Sequence, residues 1–315
     1  MNDVAVSIVN HNNRELLLAC LASLADDPGR RSAIEVVVLD NASEDGSADA
    51  VRERFPDVRL LAQPFRAGFG ANHNAVLRAT ESRYVLVLNE DTIVEPGTVD
   101  RLVAELDARP SAGAVAPRIV FPDGRRQPSA WRFPSPLGCA IAALTLGQAG
   151  VDQSSGDAPR RVDWATGCAL LVRRAALERV GTFDEGFFMY VEETDLCRRL
   201  ADGGWDLHLV PDVRVQHHLK QSTSGVFERR VRETWRSRRR YWAKHHSPLG
   251  ARAARALLAA QYVGLTLAAR VAPGRVGVPV AELRLHLACA LRPVEGPGLR
   301  ESAADWNALH GPHAS

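Results

Sequence analysis

Short apolar runs alternate with helical patterns along the first third of the chain. Val4–Asn10 and Ile34–Asp40 predict strands, and the helical patterns Glu15–Leu24 and Ser47–Phe55 follow them. The alternation continues with a strand at Val58–Ala62, a helix at Gly70–Thr80, a strand at Tyr84–Leu88 and a helix after Pro96. Because the strands are near-continuous apolar runs, we expect an α/β fold with a mostly parallel sheet flanked by helices.

Polar segments follow three of these strands at their carboxyl ends. They are Asn10–Asn12, Asp40–Ser43 and Asn89–Asp91. Ligands of open α/β sheets bind beyond the carboxyl ends of the strands. We therefore expect the functional site among these side chains.

The middle of the chain has a weaker pattern. Phe121–Arg161 is irregular and rich in proline, and it holds an apolar island at Leu137–Leu146. A long segment without periodicity predicts a loop or lid over the site. Regular structure resumes later with a predicted strand pair, Leu207–Val210 and Val213–His217.

Beyond Gly225 the sequence is rich in Arg, Ala and Leu at helical spacing, and about fifteen residues at the end predict a frayed tail. We expect a catalytic domain over residues 1–224 and a basic helical extension over 225–315. The segment Arg229–Lys244 contains eight basic residues against one acid. Two interpretations remain open. One is a solvated helix that packs on the catalytic domain. The other is a membrane-surface contact through 226–292, with Trp235, Trp242 and the later Leu/Ala segment at the interface, which the apolar island Leu137–Leu146 also fits.

Bulk properties narrow the class of protein. The 315 residues are 46% hydrophobic and 24% charged with a net charge of +2, which excludes a largely disordered chain. The five scattered cysteines fit a reducing cytosol, and the N-terminus lacks a signal-peptide pattern. The longest uncharged apolar stretch, Ala256–Ala269, is shorter than the roughly 20 residues that span a bilayer. We expect a cytoplasmic protein, with peripheral attachment to the inner face of the cytoplasmic membrane as a further possibility.

Two acidic residues, Glu90 and Asp91, follow the strand Tyr84–Leu88. Adjacent strand residues point to opposite faces, so the two carboxylates do not easily share one ion. Asp91 is the better candidate to hold Mg²⁺ or Mn²⁺, whose other positions would go to diphosphate oxygens and water. The alternative is a solvated loop carboxylate.

A cation and two glycines stand at the start of a predicted helix, in the segment Arg66–Asn74. Gly68 and Gly70 permit close approach of the backbone, and a helix N-terminus beside Arg66 favours a phosphate. The alternative is an ordinary turn.

A cluster of acids follows an aromatic stretch: Glu192, Glu193 and Asp195. Carboxylates that repel one another near apolar bulk have raised pKa values, which suits a general base. The alternative is that Glu193 and Asp195 cap a helix from Leu196 to Asp202. His217, at the end of the last strand, is a candidate to complete a metal site.

Taken in order, these segments resemble the family 2 glycosyltransferases, in their bacterial rhamnosyltransferase-like branch. The resemblance covers roughly residues 4–224. Its pieces are Val6–Asn12, Val38–Ser43, Gly68–Asn74, Leu88–Thr92, Trp164–Gly167 and Phe187–Asp195 with Val215–His218. The resemblance implies a GT-A fold and an inverting transfer of a sugar from a nucleotide diphosphate donor.

The resemblance also implies roles for single residues. Asn10, Asn12 and Asp40 would hold the nucleoside, with Asn41 and Asn89 nearby at the same strand ends. Asn72 and Asn74 would lie near the ribose and diphosphate. Asp91 and His217 would bind the divalent ion, and Glu193 would be the base.

Two positions depart from the family pattern. The metal motif is often Asp-x-Asp, and Asn89 stands first here. The base is commonly Asp, and Glu193 is one methylene longer.

The function expected is therefore transfer of a sugar, with rhamnose as one candidate, from a dTDP- or UDP-sugar to a hydroxyl of a lipid-linked or cell-envelope glycan. Competing hypotheses are a nucleotidyltransferase and a non-catalytic sugar-nucleotide-binding protein. A nicotinamide-linked dehydrogenase is disfavoured because no Gly-x-Gly-x-x-Gly follows the first strand. We expect no nucleic-acid partner, since no recognised module accompanies the basic segment.

Overall fold

A nine-stranded mixed sheet forms the centre of the protein, in a computed structural model that describes residues 2–146, 151–218, 227–271 and 276–311. Nine strands form this sheet: β1 Asn2–Asn10, β2 Ile34–Asn41, β3 Arg59–Gln63, β4 Ser82–Asn89, β5 Thr92–Val94, β6 Ala112–Val120, β8 Arg160–Val162, β10 Ala169–Arg173 and β11 Asp206–His217. Two further strands, β7 Ala130–Trp131 and β9 Trp164–Ala165, pair with each other in a separate two-stranded sheet. The helices are α1 Arg14–Ala25, α2 Ser47–Arg54, α3 Phe69–Ala79, α4 Thr98–Asp107, α5 Pro136–Leu144, α6 Arg174–Val180, α7 Glu192–Asp202, α8 Phe227–His245, α9 Pro248–Val271, α10 Val280–Leu291 and α11 Leu299–His310.

The strand order in the sheet is β3-β2-β1-β4-β10-β6-β11-β5, with β8 paired to β11. Strands β1 to β4 pair in parallel, as the apolar runs predict, whereas β10 joins β4 and β6 antiparallel. The register places Asn10 opposite Asp40 and Val9 opposite Asn89. The polar ends of β1, β2 and β4 therefore meet at one edge, and the expected α/β fold is confirmed.

Two apolar layers cover the sheet. Leu17 of α1, Val51 of α2 and Leu102 of α4 pack with the strands on one face. Leu177 of α6 and Leu196 of α7 pack on the other. Since both faces are buried, the strands tolerate few polar positions except at their ends.

The C-terminal helices have a core of their own. Trp235 and Trp242 of α8 are buried in it together with Phe187, which belongs to the segment before α7. The interpretation that placed the two tryptophans at a membrane interface is therefore wrong, because a buried ring offers no surface to lipid. The predicted boundary between residues 224 and 225 lies outside the described residues, and the division into two domains stays a prediction.

Three local expectations are wrong. The predicted frayed tail is helical over residues 301–310, which belong to α11, and residues 312–315 lie outside the described residues. The apolar island forms most of α5, which packs against α9, and no described residue of 121–161 lines the central cavity. Finally, α7 begins at Glu192, so all three acids lie in its first turn.

The predicted strand pair at residues 207–217 is one long strand, β11. Its register against β6 shifts between Val210 and Arg214. Among the helices of the described residues, none is both long and apolar enough to cross a bilayer.

Replacing Trp235 by Ala should lower the free energy of unfolding by about 3–5 kcal/mol, since it empties the centre of the C-terminal core. The Trp235 side chain is fully buried and its Nε1 donates to His286 Nδ1 at 3.0 Å. Urea denaturation measures the change. Leu309→Ala is the control, because Leu309 is 73% exposed, and it should change stability by less than about 0.5 kcal/mol. Equal effects of the two substitutions would contradict this packing.

Candidate active site

A cavity of about 500 Å³ opens at the carboxyl edge of the sheet. Its walls come from the ends of β1, β2 and β4, the segment before β10, the start of α7, and helices α8 and α11. The side chains that carry its chemistry are His11, Asn41, Arg66, Asn72, Asn89, Glu90, Asp91, Glu192, Glu193, His217, Arg229 and Arg230. The cavity therefore lies where the strand ends predicted it, and it has a volume suited to a small ligand.

Three of the predicted donor residues support the wall from behind. Asn10 Nδ2 donates to Asp40 Oδ1 and to Ser43 Oγ, each at 3.0 Å, and neither Asn10 nor Asp40 lines the cavity. Asn12 Oδ1 accepts from the Glu44 amide at 2.7 Å. These bonds fix the turn after β2, so the three residues shape the site without facing it.

A network of amides forms the wall itself. Asn41 Oδ1 accepts from the Ala67 amide at 2.8 Å and from Gln63 Nε2 at 2.7 Å. Gln63 Nε2 also donates to Asn72 Oδ1 at 2.8 Å, which joins the ends of β2 and β3 to α3. Asn41 and Asn72 line the cavity as the sequence predicts. Gln63 was missed because a single amide at the end of a short strand carries no pattern.

His11 also lines the cavity and was not among the predicted site residues. Its Nδ1 lies 3.0 Å from the Asn41 carbonyl oxygen. Burial, followed by the positive charge of Arg66, holds the pKa of His11 below its usual value. A neutral imidazole is therefore favoured beside the guanidinium.

Arg66 is held by the C-terminal helix α11. Its guanidinium lies 4.1 Å from the ring centre of Trp306 and forms an ion pair with Glu44. Asn307 forms two hydrogen bonds with the Arg66 backbone. Its Oδ1 accepts from the Arg66 N–H at 2.6 Å, and its Nδ2 donates to the Arg66 carbonyl oxygen at 2.9 Å. Trp306 and Asn307 were missed because they lie in the segment whose composition predicted a frayed tail.

Gly68 and Asn74 connect α3 to the segment that precedes α7. A Cβ built on Gly68 would lie 2.9 Å from the Phe188 carbonyl carbon, and the next amide, of Phe69, donates to the Phe188 oxygen at 2.9 Å. Asn74 exchanges hydrogen bonds with the backbone of Phe183 at 2.9 and 3.0 Å. Neither Gly68 nor Asn74 lines the cavity, so both hold the two walls together.

Asp91 and His217 meet at the floor of the cavity, with Oδ1 and Nε2 3.1 Å apart. An Nδ1–H of His217 that donates to Gln127 Oε1, at 3.2 Å, leaves Nε2 with a lone pair. Asn89 Nδ2, 3.4 Å from that Nε2, fits an accepting nitrogen. Asp91 Oδ1 is buried and has no hydrogen-bond donor. A carboxyl oxygen and an imidazole nitrogen that face one another are both ligand types of a divalent cation.

The two side chains form a partial coordination set. Within the described residues, no group of three His, Cys, Asp or Glu side chains is arranged to hold a metal. A divalent ion at Asp91 and His217 would therefore depend on oxygens from a ligand or water. Gln127 was missed by sequence reasoning, since a lone glutamine in an irregular segment has no signal.

Glu193 projects into the cavity from the first turn of α7. Burial raises the pKa of its carboxyl to about 7, although backbone amides of the helix start partly oppose the shift. Its Oε2 has no hydrogen-bond partner. Glu192 also lines the cavity, and burial together with the neighbouring Glu193 charge raises its pKa.

Asp195 is placed differently from these two glutamates. It is fully buried, and its carboxylate contacts Arg199 and Lys244 at 2.8 Å and His245 at 2.7 Å. Desolvation raises the pKa of Asp195, but hydrogen bonds from Lys244, His245 and Arg199 lower it further, so the carboxyl stays ionised. It does not line the cavity. Asp195 therefore ties α7 to α8.

A strained turn at Tyr190 and Val191 leads directly into the helix start that carries Glu192 and Glu193. Tyr190 and Val191 have φ of 67° and 70°, the left-handed region that a β-branched residue rarely adopts. Such strain persists only where the surrounding structure enforces it. Here the Phe69–Phe188 hydrogen bond lies just upstream and the buried start of α7 just downstream.

Comparison with known sequences shows which proteins this chain is similar to. The sequence model of glycosyl transferase family 2 matches residues 5–179. The chain is 34% identical over 240 residues to the N-acetylglucosaminyl-diphospho-decaprenol L-rhamnosyltransferase of Mycobacterium tuberculosis, covering 70% of this chain and 76% of that protein. It is 27% identical over 254 residues to the rhamnosyltransferase WbbL of Escherichia coli, covering 76% and 93%.

Solved structures share the fold. A mannosyltransferase of Pyrobaculum calidifontis, in complex with GDP-Man and Mn²⁺, superposes with a TM-score of 0.57 at 20% identity, covering 98% of this chain and 86% of that one. Staphylococcus aureus TarS in complex with UDP gives a TM-score of 0.53 at 14% identity, covering 98% and 74%. The expected GT-A fold is confirmed.

Gly68→Ala should destabilise the protein by about 1–3 kcal/mol and reduce turnover, because the added methyl overlaps the Phe188 backbone and displaces the segment that carries the glutamates. Thermal denaturation and initial rates measure both effects. Gly29→Ala is a matched control, since a Cβ there meets nothing within 4 Å. A Gly68→Ala protein that melts and turns over like the control would contradict this contact.

Proposed function

The chain belongs to glycosyl transferase family 2, and we propose that it is a metal-dependent inverting hexosyltransferase acting from a nucleoside diphosphate sugar. One observation carries the proposal. Asp91 and His217, whose Oδ1 and Nε2 are 3.1 Å apart, open into the same cavity as the Glu193 carboxyl, whose pKa is raised and whose Oε2 has no hydrogen-bond partner. A site for a cation and a base in the neutral range are what this transfer needs.

Asp91 and His217 are the residues that would hold Mn²⁺ or Mg²⁺. A bound divalent ion neutralises the charge that develops on a departing diphosphate. The complex of the Pyrobaculum mannosyltransferase with Mn²⁺ and GDP-Man supports this proposal. Gln127 orients the His217 ring, because its Oε1 accepts from the ring Nδ1–H at 3.2 Å.

Glu193 is the proposed base. Its Oε2 takes the proton of the acceptor hydroxyl as that oxygen attacks the anomeric carbon. The bond from that carbon to the diphosphate oxygen breaks with its electron pair, and the configuration inverts. Glu192 is the neighbouring carboxyl. Because two adjacent carboxylates repel each other, it favours the state in which the pair holds the proton after transfer.

The donor side is proposed from the opposite wall. Asn41 and Asn72 offer amide groups to the nucleoside, and Arg66 offers a guanidinium to the diphosphate. Arg66 is preorganised for this role, because Trp306 stacks on it and Asn307 fixes its backbone. The two similar rhamnosyltransferases support a rhamnose donor, and dTDP- and UDP-sugars are the ligands to test.

The acceptor is proposed to be a lipid-linked or cell-envelope glycan. The mycobacterial relative is named for an acceptor with a diphospho-decaprenol carrier. Arg229 and Arg230 line this cavity from α8, and Arg229 is oriented by Ser302 Oγ at 2.8 Å. Two guanidiniums on that wall suit an anionic acceptor, which a peripheral enzyme would meet at the inner face of the cytoplasmic membrane.

Asp91→Ala should reduce UDP or dTDP affinity measured with Mn²⁺ to the level measured with EDTA, because the ion loses its carboxylate. Gln127→Leu should raise the Mn²⁺ concentration for half-maximal rate by roughly 10-fold to 100-fold, because the His217 ring loses the hydrogen bond that orients it. Isothermal titration and rate measurements test the two. Asp49→Ala, at an 86% exposed side chain, is the control. Unchanged affinity in Asp91→Ala would refute the metal site.

Glu193→Gln should reduce turnover roughly 10²-fold to 10⁴-fold, because the amide keeps the size of the side chain but cannot accept the proton. Donor affinity should remain close to wild type. Glu192→Gln is the matched control and should retain most of the rate. If the two variants lose equal activity, the pair acts only through its charge.

The same proposal fixes the sign of the pH dependence. A base with a pKa of about 7 is active when deprotonated, so kcat/KM should rise about tenfold per pH unit below pH 7 and level off above it. The residual activity of Glu193→Gln should lack this rising limb. A wild-type profile that is flat between pH 5 and about 8 would exclude Glu193 as the base.

A further inference from the structure

Two adjacent helices present large aliphatic side chains to solvent. Helices α5 and α9 lie side by side, since Gly250 approaches Pro136 and Gly264 approaches Leu146. Six exposed residues define what we call the α5–α9 face: Leu137, Leu144, Leu249, Val263, Leu267 and Val271. Leu144 and Val271 are 87% and 88% exposed. Large aliphatic side chains exposed on two neighbouring helices are typical of an interaction site.

The exposure follows the helical period. On α9 the exposed positions recur at residues 249, 252, 256, 260, 263, 267 and 270–271, steps of three or four that define one stripe. On α5, Leu137 and Leu144 stand two turns apart. The buried side of α9 packs on α8 and α10, so the stripe is the side of the helix without a partner among the described residues.

The charge of this face has one sign. Neither α5 nor α9 contains an acidic residue, and the chain has none between Glu233 and Glu282. Arg252 and Arg270 are exposed on the same edge of the α9 stripe. Aliphatic side chains bordered by arginines match the acyl and headgroup layers of an anionic bilayer. A second copy of the same face fits poorly, because its arginines would meet arginines without carboxylates.

The face is joined to the cavity by α8. Helix α9 runs back along α8, with the Tyr262 and Trp235 rings 6.1 Å apart. From that contact, Val271 lies about 13 Å further along α9 and Arg229 about 9 Å back along α8, by helical rise. The end of the stripe and the arginines that line the cavity therefore lie toward the same end of the α8–α9 pair.

We propose that the α5–α9 face docks on an anionic lipid bilayer and presents the cavity to a lipid-linked acceptor. The inference rests on the proposed function for the acceptor alone. The docking itself follows from the exposed aliphatic residues and the cationic edge. Of the membrane contact expected from the sequence, it retains the Leu/Ala segment of α9 and the apolar island of α5, and it excludes Trp235 and Trp242, which are buried.

Vesicle flotation of the full chain tests the proposal. Wild type should float with phosphatidylcholine vesicles that contain phosphatidylglycerol. The triple variant Leu137→Gln, Leu144→Gln and Leu267→Gln should bind them at least about tenfold more weakly. Arg252→Gln with Arg270→Gln should reduce binding to the anionic vesicles about 30-fold, and binding to pure phosphatidylcholine little. Leu309→Gln, at a 73% exposed leucine on α11, is the matched control and should float like wild type.

Two further measurements separate the outcomes. Circular dichroism and donor hydrolysis in solution should be unchanged in the triple variant. Wild-type protein that does not float, or a triple variant that floats equally well, overturns the proposal. A lipid-free dimer that the triple variant dissociates overturns it in favour of a second copy. Absence of donor hydrolysis by the wild-type protein would instead refute the proposed function and would leave the docking result unaffected.

Discussion

The parallel register of β1, β2 and β4 is the constraint on which the site depends. It brings the ends of three strands, separated by up to 79 residues between Asn10 and Asn89, to one edge of the sheet. Both faces are covered by apolar helices, so polar groups concentrate at that edge. The carboxylates there are desolvated, which leaves them dependent on a ligand, a proton or a cation.

Carboxyl oxygens without a hydrogen-bond donor are the chemical consequence of this arrangement. Asp91 Oδ1 and Glu193 Oε2 are buried without a hydrogen-bond donor, whereas Asp195, two residues from Glu193, contacts Arg199, Lys244 and His245. Carboxylates of similar sequence context therefore have opposite roles. Asp91 and Glu193 line the cavity and each has an oxygen without a hydrogen-bond partner, so these oxygens are open to a cation or to a substrate proton. Asp195 fixes α7 against α8.

The C-terminal helices are part of the site. Arg229 and Arg230 of α8 line the cavity, and Trp306 and Asn307 of α11 hold Arg66. Phe187, just before the strained turn at Tyr190 and Val191, is buried in the core that these helices form. The segment that aims Glu193 is therefore held from two sides, by α3 through Gly68 and by α8 through Phe187. Helix α9, which packs on α8, carries four of the six residues of the exposed apolar face, so the proposed membrane contact and the cavity are both supported by α8.

The sequence by itself determined the α/β fold, because hydrophobic period and turn chemistry are local properties of the chain. Its motifs also indicated the family and three residues that line the cavity, Asn41, Asn72 and Asp91. It could not separate Glu193 from Asp195, since both lie in the first turn of α7 and differ only in which distant side chains surround them. It also missed Gln63, Gln127, Trp306 and Asn307, whose roles arise from contacts across as many as 241 residues. Only the tertiary structure decided these, because burial and hydrogen-bond partners depend on how separate elements pack.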